Sequence, residues 1–332
     1  MHNVVDSPGA RRLPPKPRCI SGLQQELLLR EGAPVILSRL WLTTPRAIGC
    51  ALIVLCGAQA SAQQAQNPSP MVEHIRSHPR LTETTPPGLR QKLTLGTLFI
   101  PEKLKDKRQV NLLLFFHGGD WLPQVAAAQQ RNLAVITVQA GAGSSRYEKL
   151  FTDPATFPNL LAEAQAAAKV TFGEIELAGW SAGCGALRQI LSDPVSYDRV
   201  NRVLCIDGVH AGYINGVPGD GPSAESQLDP ANLQSWLHFG ADAIAGRKHM
   251  IITHSEIFPG TFASTTETAD YLLRQWKLTP HPVVRWGPMG TQMLSETKAG
   301  GLLVVGFAGN SAPDHVDELH SLPEYLRWLA RK

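Results

Sequence analysis

The sequence has few cysteines and no large excess of charge of one sign. Only five of its 332 residues are Cys, and three of these precede residue 63. Residues 1–62 carry seven Lys or Arg and three Asp or Glu, which leaves 24 positive and 25 negative side chains in residues 63–332. Binding to nucleic acid needs a concentrated basic face, so the even balance argues against a nucleic-acid partner.

Residues 47–58 form an apolar run that is too short to be a stable membrane anchor. Twelve residues cannot cross about 30 Å of hydrocarbon as a helix. The run follows Arg46 and leads to Ala60-Ser61-Ala62, a pattern typical of a signal peptide, although a buried core helix is an alternative. We therefore predict that residues 1–62 are an N-terminal extension with a signal peptide. Cleavage near Ala62 would export the protein to the periplasm or the extracellular space.

Two motifs of other enzyme classes are missing. The sequence has no H-E-x-x-H zinc motif, and "GAGSS" at 141–145 does not match the G-x-G-x-x-G of dinucleotide-binding enzymes. A metal hydrolase and a flavin or nicotinamide enzyme are thus disfavoured, and we predict neither a metal nor a cofactor. Cys184 and Cys205 remain after residue 62, either as a disulfide or as two buried thiols.

Beyond the N-terminal region, strand and helix patterns alternate. Residues 63–91 are polar and Pro-rich and are predicted to be a linker, and residues 92–332 are predicted to form the catalytic domain. Apolar runs predict strands at 93–101, 109–117, 133–139, 174–180, 202–207, 249–255 and 301–309, with amphipathic or Ala/Leu-rich helices between most of them. This alternation predicts an α/β fold with a mainly parallel central sheet and helices on both faces.

The segment Gly179-Trp180-Ser181-Ala182-Gly183 follows a predicted strand and opens a predicted helix. Glycines at both ends relieve crowding where the chain reverses, so the Ser181 hydroxyl can stand exposed above the strand ends. The N-terminus of the following helix directs N–H groups and its positive dipole end towards that oxygen. Ser181 is therefore the predicted nucleophile.

A second motif, His117-Gly118-Gly119, directly follows the predicted strand 109–117. Backbone N–H groups of such a turn can face a developing oxyanion, although a plain glycine turn is an alternative. The occurrence of the two motifs in this order is more specific evidence for a catalytic site than either motif alone.

With both motifs in place, residues 93–330 resemble the α/β-hydrolase superfamily, and within it the secreted serine esterases. The resemblance implies the α/β-hydrolase fold, with Ser181 as nucleophile. It also implies the N–H of Ala182 as one oxyanion donor and that of Gly118 or Gly119 as the other. Asp120 stands where many lipase-like members have a third glycine.

The serine needs a base, and the resemblance implies a histidine after the last strand. His315 lies there in a segment predicted to be irregular and able to fold back over the strand ends. His320 adjoins the last helix, which is predicted to begin at a Ser321–Glu324 capping box. We therefore predict His315 as the base.

The triad also needs an acid, and the sequence leaves more than one choice. Glu256 directly follows the predicted strand 249–255, where the family usually keeps its acid, and is preferred. Asp207 follows strand 202–207 and is the main rival, with Asp314 and Asp317 as weaker alternatives.

Aromatic and histidine side chains near the predicted catalytic face are candidates for the substrate pocket. We select Trp121, Trp180 and His254; other aromatic candidates are Tyr147, Tyr213, Phe262 and Trp286. The predicted function is hydrolysis of a small-molecule or polymer-derived carboxylic ester through an acyl-enzyme. Alternatives are a serine peptidase or acyltransferase on the same fold and a catalytically inactive extracellular binding protein.

Overall fold

The computed structural model describes residues 80–216 and 227–331, and the predicted signal peptide lies outside them. The strands are β1 Gly88–Lys92, β2 Thr97–Pro101, β3 Gln109–Phe116, β4 Leu133–Val138, β5 Thr171–Trp180, β6 Arg202–Ile206, β7 His249–Ser255, β8 His281–Trp286, β9 Gln292–Ala299 and β10 Leu302–Phe307. The α-helices are α1 Trp121–Gln129, α2 Ser144–Lys149, α3 Thr156–Ala168, α4 Cys184–Ile190, α5 Pro194–Arg199, α6 Gln234–Ile244, α7 Thr265–Gln275, α8 Ala312–His320 and α9 Leu322–Leu329.

Within the described residues, the strands form one ten-stranded sheet in the order β1-β2-β4-β3-β5-β6-β7-β10-β9-β8. The six central strands from β4 to β10 run parallel, and the outer strands pair antiparallel at both edges. The predicted mainly parallel sheet is thus confirmed. Strands β8 and β9, the last two at one end of the sheet, were not predicted, because they are largely exposed or half-buried and lack the continuous apolar runs of doubly covered strands.

Helices cover both faces of the sheet, as predicted. Along β3, Leu112 and Leu114 pack into the core beneath α2, α3, α4, α6 and α7, whereas Leu113 and Phe115 pack into the core beneath α1 and α9. Successive strand side chains point to opposite faces, so a strand covered on both sides must be apolar throughout. This explains the unbroken "LLLFF" of β3.

The last residues of the predicted linker belong to the folded domain. Strand β1 overlaps the predicted range 63–91 and pairs with β2. Arg80 Nε donates to Asp317 Oδ1 at 2.7 Å, and the Leu81 N–H donates to His320 Nδ1 at 3.0 Å. The prediction is therefore wrong for residues 80–91. A polar strand suits the edge of a sheet, where much of it faces solvent, and its sequence then resembles a linker.

The segment that holds His315 is helical rather than irregular as predicted. Helix α8 begins after Ser311, which forms a capping box with Asp314. The predicted box at Ser321 is absent, and the Ser321 hydroxyl instead donates to the Asp317 carbonyl at 2.8 Å. Ser321 has helical backbone angles (φ −76°, ψ −4°), so it lacks the extended conformation that an N-cap needs.

A disulfide joins Cys184, the first residue of α4, to Cys205 in β6, with their Cα atoms 5.9 Å apart. Of the two alternatives from the sequence, the structure contains the disulfide. It ties the helix that follows the Ser181 turn to the strand beside β5.

Removing this disulfide is expected to lower stability. For the double variant Cys184→Ala/Cys205→Ala, we expect the free energy of unfolding to fall by about 2 to 4 kcal/mol, because the bridge restricts the unfolded chain. Guanidinium unfolding measures the change. A reductant should shift the midpoint of the parent protein but not that of the double variant. Two freely alkylated thiols in the unfolded, unreduced protein would contradict the pairing.

Candidate active site

The predicted nucleophile lies on a sharp turn between β5 and α4. Ser181 has a φ of 51°, in the left-handed region that side chains rarely adopt. A Cβ atom at Gly179 would lie 2.7 Å from the carbonyl carbon of Gly183, and one at Gly183 would overlap the backbone of Phe116. Only glycine fits at both positions, so the motif is a consequence of tight strand–turn–helix packing.

Asp207 lies beside this turn because β5 and β6 are parallel neighbours. Trp180 and Ile206 are register partners, so the residues that follow them leave the sheet at the same edge. A Cβ atom at Gly208 would lie 2.9 Å from the Ser181 nitrogen, so the chain after Asp207 passes close to the backbone of Ser181.

His315 is hydrogen-bonded to Asp207. Its Nδ1 lies 2.6 Å from Asp207 Oδ2, which leaves Nε2 as the nitrogen directed away from the acid. The Trp180 indole N–H donates to the His315 carbonyl at 3.0 Å, and the two ring centroids are 4.6 Å apart. Helix α8 therefore holds the imidazole against the residue that precedes Ser181.

Buried hydroxyl and amide donors surround the Asp207 carboxylate. It accepts hydrogen bonds from the Ser255 N–H at 3.0 Å, from the Ser255 hydroxyl at 2.7 Å and from the Thr265 hydroxyl. Burial acts most strongly and raises the pKa of Asp207, but the hydrogen bonds from His315, Thr265 and Ser255 and the charge of His315 outweigh it, so the pKa is lowered. Asp207 is therefore ionised at neutral pH.

Ser255 and Thr265 were missed in the sequence. They lie 48 and 58 positions from Asp207 along the chain, and no local motif links them to it. Only the arrangement of β6, β7 and α7 brings them together.

The preference for Glu256 as the partner of His315 is wrong. Glu256 is exposed, and its side chain is 3.4 Å from the Thr266 hydroxyl. Ser255 directs its side chain to Asp207, and adjacent residues of an extended strand point in opposite directions, so Glu256 points away.

The two weaker alternatives make other contacts. Asp314 caps α8 and accepts from the Ser311 hydroxyl at 2.6 Å, and Asp317 pairs with Arg80.

The predicted oxyanion turn has three consecutive residues with positive φ: His117 (73°), Gly118 (92°) and Gly119 (90°). A Cβ atom at Gly118 would lie 2.8 Å from a Leu319 methyl carbon, and its positive φ is one that side chains rarely adopt, so glycine is favoured there. The Gly119 N–H donates to Gln139 Oε1 at 3.3 Å, a contact that the sequence did not suggest. Of the two glycines predicted as alternative donors, Gly119 is thus the one whose N–H is directed to a side chain of the protein.

His117 is anchored within the same turn. Its Nδ1 lies 2.9 Å from the hydroxyl oxygen of Tyr147, which also accepts the Ala140 N–H at 3.1 Å. Burial, followed by the nearby charge of His315, lowers the pKa of His117. The ring is therefore neutral at neutral pH.

The structure separates the three predicted pocket residues. Trp180 packs on His315, and the Trp121 ring lies near Gly119, where a Cβ atom would be 3.8 Å from the indole. His254 is only 5% exposed and its Nδ1 lies 2.8 Å from the Thr266 hydroxyl, so its ring is buried against α7. Burial lowers the pKa of His254 to about 4, which keeps it neutral.

A cavity among the described residues lies away from Ser181. Its volume is about 760 Å³, and it is lined by Leu81, Trp286, Met293, Arg327 and Trp328 among others, but not by Ser181, Asp207 or His315. Trp286 therefore belongs to this cavity rather than to the surroundings of the serine. Among residues 80–216 and 227–331, no three His, Cys, Asp or Glu side chains cluster as a metal site. No helix in the same ranges is long and apolar enough to cross a bilayer.

The order of these features along the chain decides the fold. A glycine turn follows β3, a strained serine turn follows β5, an acid follows β6, and a histidine follows β10, all around one mainly parallel sheet. The chain has an α/β-hydrolase fold. The sequence correctly predicted where the two turns lie and that His315 follows the last parallel strand.

The solved structures to which this chain shows a likeness include esterases and other hydrolases. They include a fungal esterase from Rhizomucor miehei (13% identity, TM-score 0.41, 73% of this chain and 83% of that chain). LpqC, a poly(3-hydroxybutyrate) depolymerase from Bordetella parapertussis, has 14% identity and a TM-score of 0.41 over 70% of this chain and 84% of its own. The carboxylesterase CesB from Bacillus subtilis has 11% identity and a TM-score of 0.36 over 74% of this chain and 92% of its own.

No protein-family profile and no curated protein sequence matches the chain. Since one fold hosts many activities, likenesses at 11–14% identity do not assign a reaction or a substrate.

Proposed function

We propose that the protein is a serine hydrolase that cleaves carboxylic esters, with Ser181 as nucleophile, His315 as base and Asp207 as acid. The observation that carries the proposal is the 2.6 Å hydrogen bond from His315 Nδ1 to Asp207, at the sheet edge where the strained Ser181 turn emerges. This bond selects the tautomer with a free Nε2, which is the form able to accept a proton from serine.

In the first step, Ser181 Oγ attacks the acyl carbon of the ester while its proton passes to His315 Nε2. The carbonyl π electrons move onto oxygen, and the N–H groups of Ala182 and Gly118 stabilise the resulting oxyanion. The tetrahedral intermediate then collapses and breaks the bond to the alcohol, which leaves with the proton from Nε2.

In the second step, water attacks the acyl-enzyme and gives its proton to the same nitrogen. Collapse releases the carboxylic acid and returns the proton to Ser181 Oγ. Asp207 stays ionised throughout and stabilises the imidazolium that forms twice in each cycle. Its low pKa, maintained by hydroxyl and histidine donors, supports this role.

Covalent labelling of the purified protein tests the proposal directly. A fluorophosphonate is expected to label one residue, Ser181, because only an activated serine attacks phosphorus at a useful rate. A panel of esters that varies the acyl length and the alcohol should then show turnover. Turnover of amides in preference to esters would indicate a peptidase. Transfer of the acyl group to an added alcohol would indicate an acyltransferase. Absence of fluorophosphonate labelling would indicate an inactive binding protein.

We also propose that the protein is exported. The sequence pattern at residues 46–62 supports this, and those residues lie outside the described part of the structure. Expression in a bacterial host is expected to give a mature form that begins at Gln63, as measured by N-terminal sequencing of the secreted or periplasmic fraction. A mature form that retains residues 47–58 would contradict this assignment.

A further inference from the structure

Two histidine rings pack on the indole of Trp180, the residue that precedes Ser181. The His117 ring is nearly parallel to the indole, with centroids 5.1 Å apart and planes at 13°. The His315 ring is closer, at 4.6 Å with planes at 32°. Rings that lie side by side in one plane cannot approach so closely, so both imidazoles overlie the π face of the indole.

Trp180 also contacts the backbone of His315. Its indole N–H donates to the His315 carbonyl at 3.0 Å, so the same side chain fixes the main chain and the ring of the base. On the other side, a Cβ atom at Gly118 would lie 3.2 Å from Trp180 Cε3. The indole thus contacts both the oxyanion turn and helix α8.

Only one of the two imidazoles on the indole is poised to become charged. His117 Nδ1 lies 2.9 Å from the Tyr147 hydroxyl oxygen. Burial, followed by the charge of His315, lowers the pKa of His117, so its ring is neutral near pH 7. His315 alone gains a proton when the serine attacks.

We propose that Trp180 is a positioning residue for the base: its indole orients His315 and stabilises the imidazolium by a cation–π interaction. A cation within about 6 Å of an indole centroid is attracted by the negative π face. The stabilisation acts only when His315 is protonated, so it lowers the barrier rather than strengthening substrate binding. This inference rests on the proposed function, in which His315 is the base.

Within the described residues, three other titratable groups interact with His315. Ionised Asp207 accepts the hydrogen bond of its ring, with Oδ2 2.6 Å from Nδ1. His117 from the turn after β3 and His210 from the loop after β6 also interact electrostatically with His315. Burial lowers the pKa of His210 to about 4, so both histidines are neutral near pH 7 and do not oppose the charge on His315.

The test compares Trp180→Leu, Trp180→Phe and a matched control, Trp276→Phe. Trp276 makes an equivalent indole bond, Nε1–H to the Leu237 carbonyl at 3.1 Å, and its ring packs against Gly240 of α6. For Trp180→Leu we expect kcat to fall about tenfold with KM changed less than about twofold. The acidic limb of the kcat/KM profile should move by about 0.5 to 1 pH unit to lower pH, because the protonated base is less stabilised.

Trp180→Phe keeps a π face and loses the bond to the His315 carbonyl, so its loss of kcat should be smaller than that of Trp180→Leu. The control should match the parent in kcat and in the pH profile. A variant of His117 completes the set: His117→Asn suits the left-handed backbone at φ 73° and should leave the acidic limb in place, because the neutral ring contributes no charge.

The outcomes separate this inference from the proposed function. If the fluorophosphonate labels Ser181 in the parent and Trp180→Leu leaves the acidic limb unchanged, the inference is wrong and the triad stands. A lower kcat with an unmoved limb would mean that Trp180 only packs. If Ser181 is not labelled in the parent, the proposed function fails. Circular dichroism and thermal melting verify that each variant is folded, and Trp180→Phe remains as the test should Trp180→Leu not fold.

Discussion

Ester turnover by Ser181→Ala is expected to be lower than that of the parent by a factor on the order of 10⁶. Removing the nucleophile removes covalent catalysis, and triad members act as a unit, so loss of the serine costs as much as loss of the whole triad. The fold should be retained. Alanine has the same Cβ as serine and meets the same backbone strain at φ 51°, so the turn conformation is no less favourable.

A matched substitution is available at Ser192, an exposed serine whose hydroxyl donates to the Gln189 carbonyl at 2.7 Å. Ser192→Ala should retain both turnover and fluorophosphonate labelling, whereas Ser181→Ala should lose both. If Ser181→Ala kept more than about a tenth of the parent activity, the serine mechanism would be excluded and hydrolysis through an activated water would have to be considered.

Asp207→Asn is expected to lower turnover by about 10³ to 10⁴, with the far-UV spectrum unchanged. An amide can donate a hydrogen bond to His315 Nδ1, which would leave the ring with its proton on Nε2 and unable to accept one from Ser181. The substitution also removes the negative charge that stabilises the imidazolium. Finally, an amide nitrogen in place of Oδ2 cannot accept the bond that the Ser255 hydroxyl now donates to that oxygen.

Glu256→Gln is the control for this substitution, because Glu256 also follows a central strand but is exposed and directed away from His315. Its turnover should stay within about twofold of the parent, as is usual for surface changes away from a site. The reverse ranking of the two variants would move the acid to Glu256. It would leave the assignments of Ser181 and His315 in place.

The sequence by itself determined the central part of the sheet and the two turns at its edge. Continuous apolar runs such as that of β3 occur where both faces of a strand are covered, so they can be recognised without a structure. Gly179 and Gly183 are local consequences of tight packing around Ser181, and they also leave a local pattern. The position of His315 after the last parallel strand followed from the resemblance to α/β-hydrolases.

Only the tertiary structure decided which carboxylate meets His315. Glu256 and Asp207 both follow central strands, and the choice depends on strand register and on the alternation that directs Ser255, not Glu256, towards the site. The edge strand β1 and the helical backbone at His315 were also missed, since each depends on pairing or packing with distant residues. Contacts between residues tens of positions apart leave no periodic trace in a single sequence, so the partners of Asp207 and the rings on Trp180 emerge only when the chain is folded.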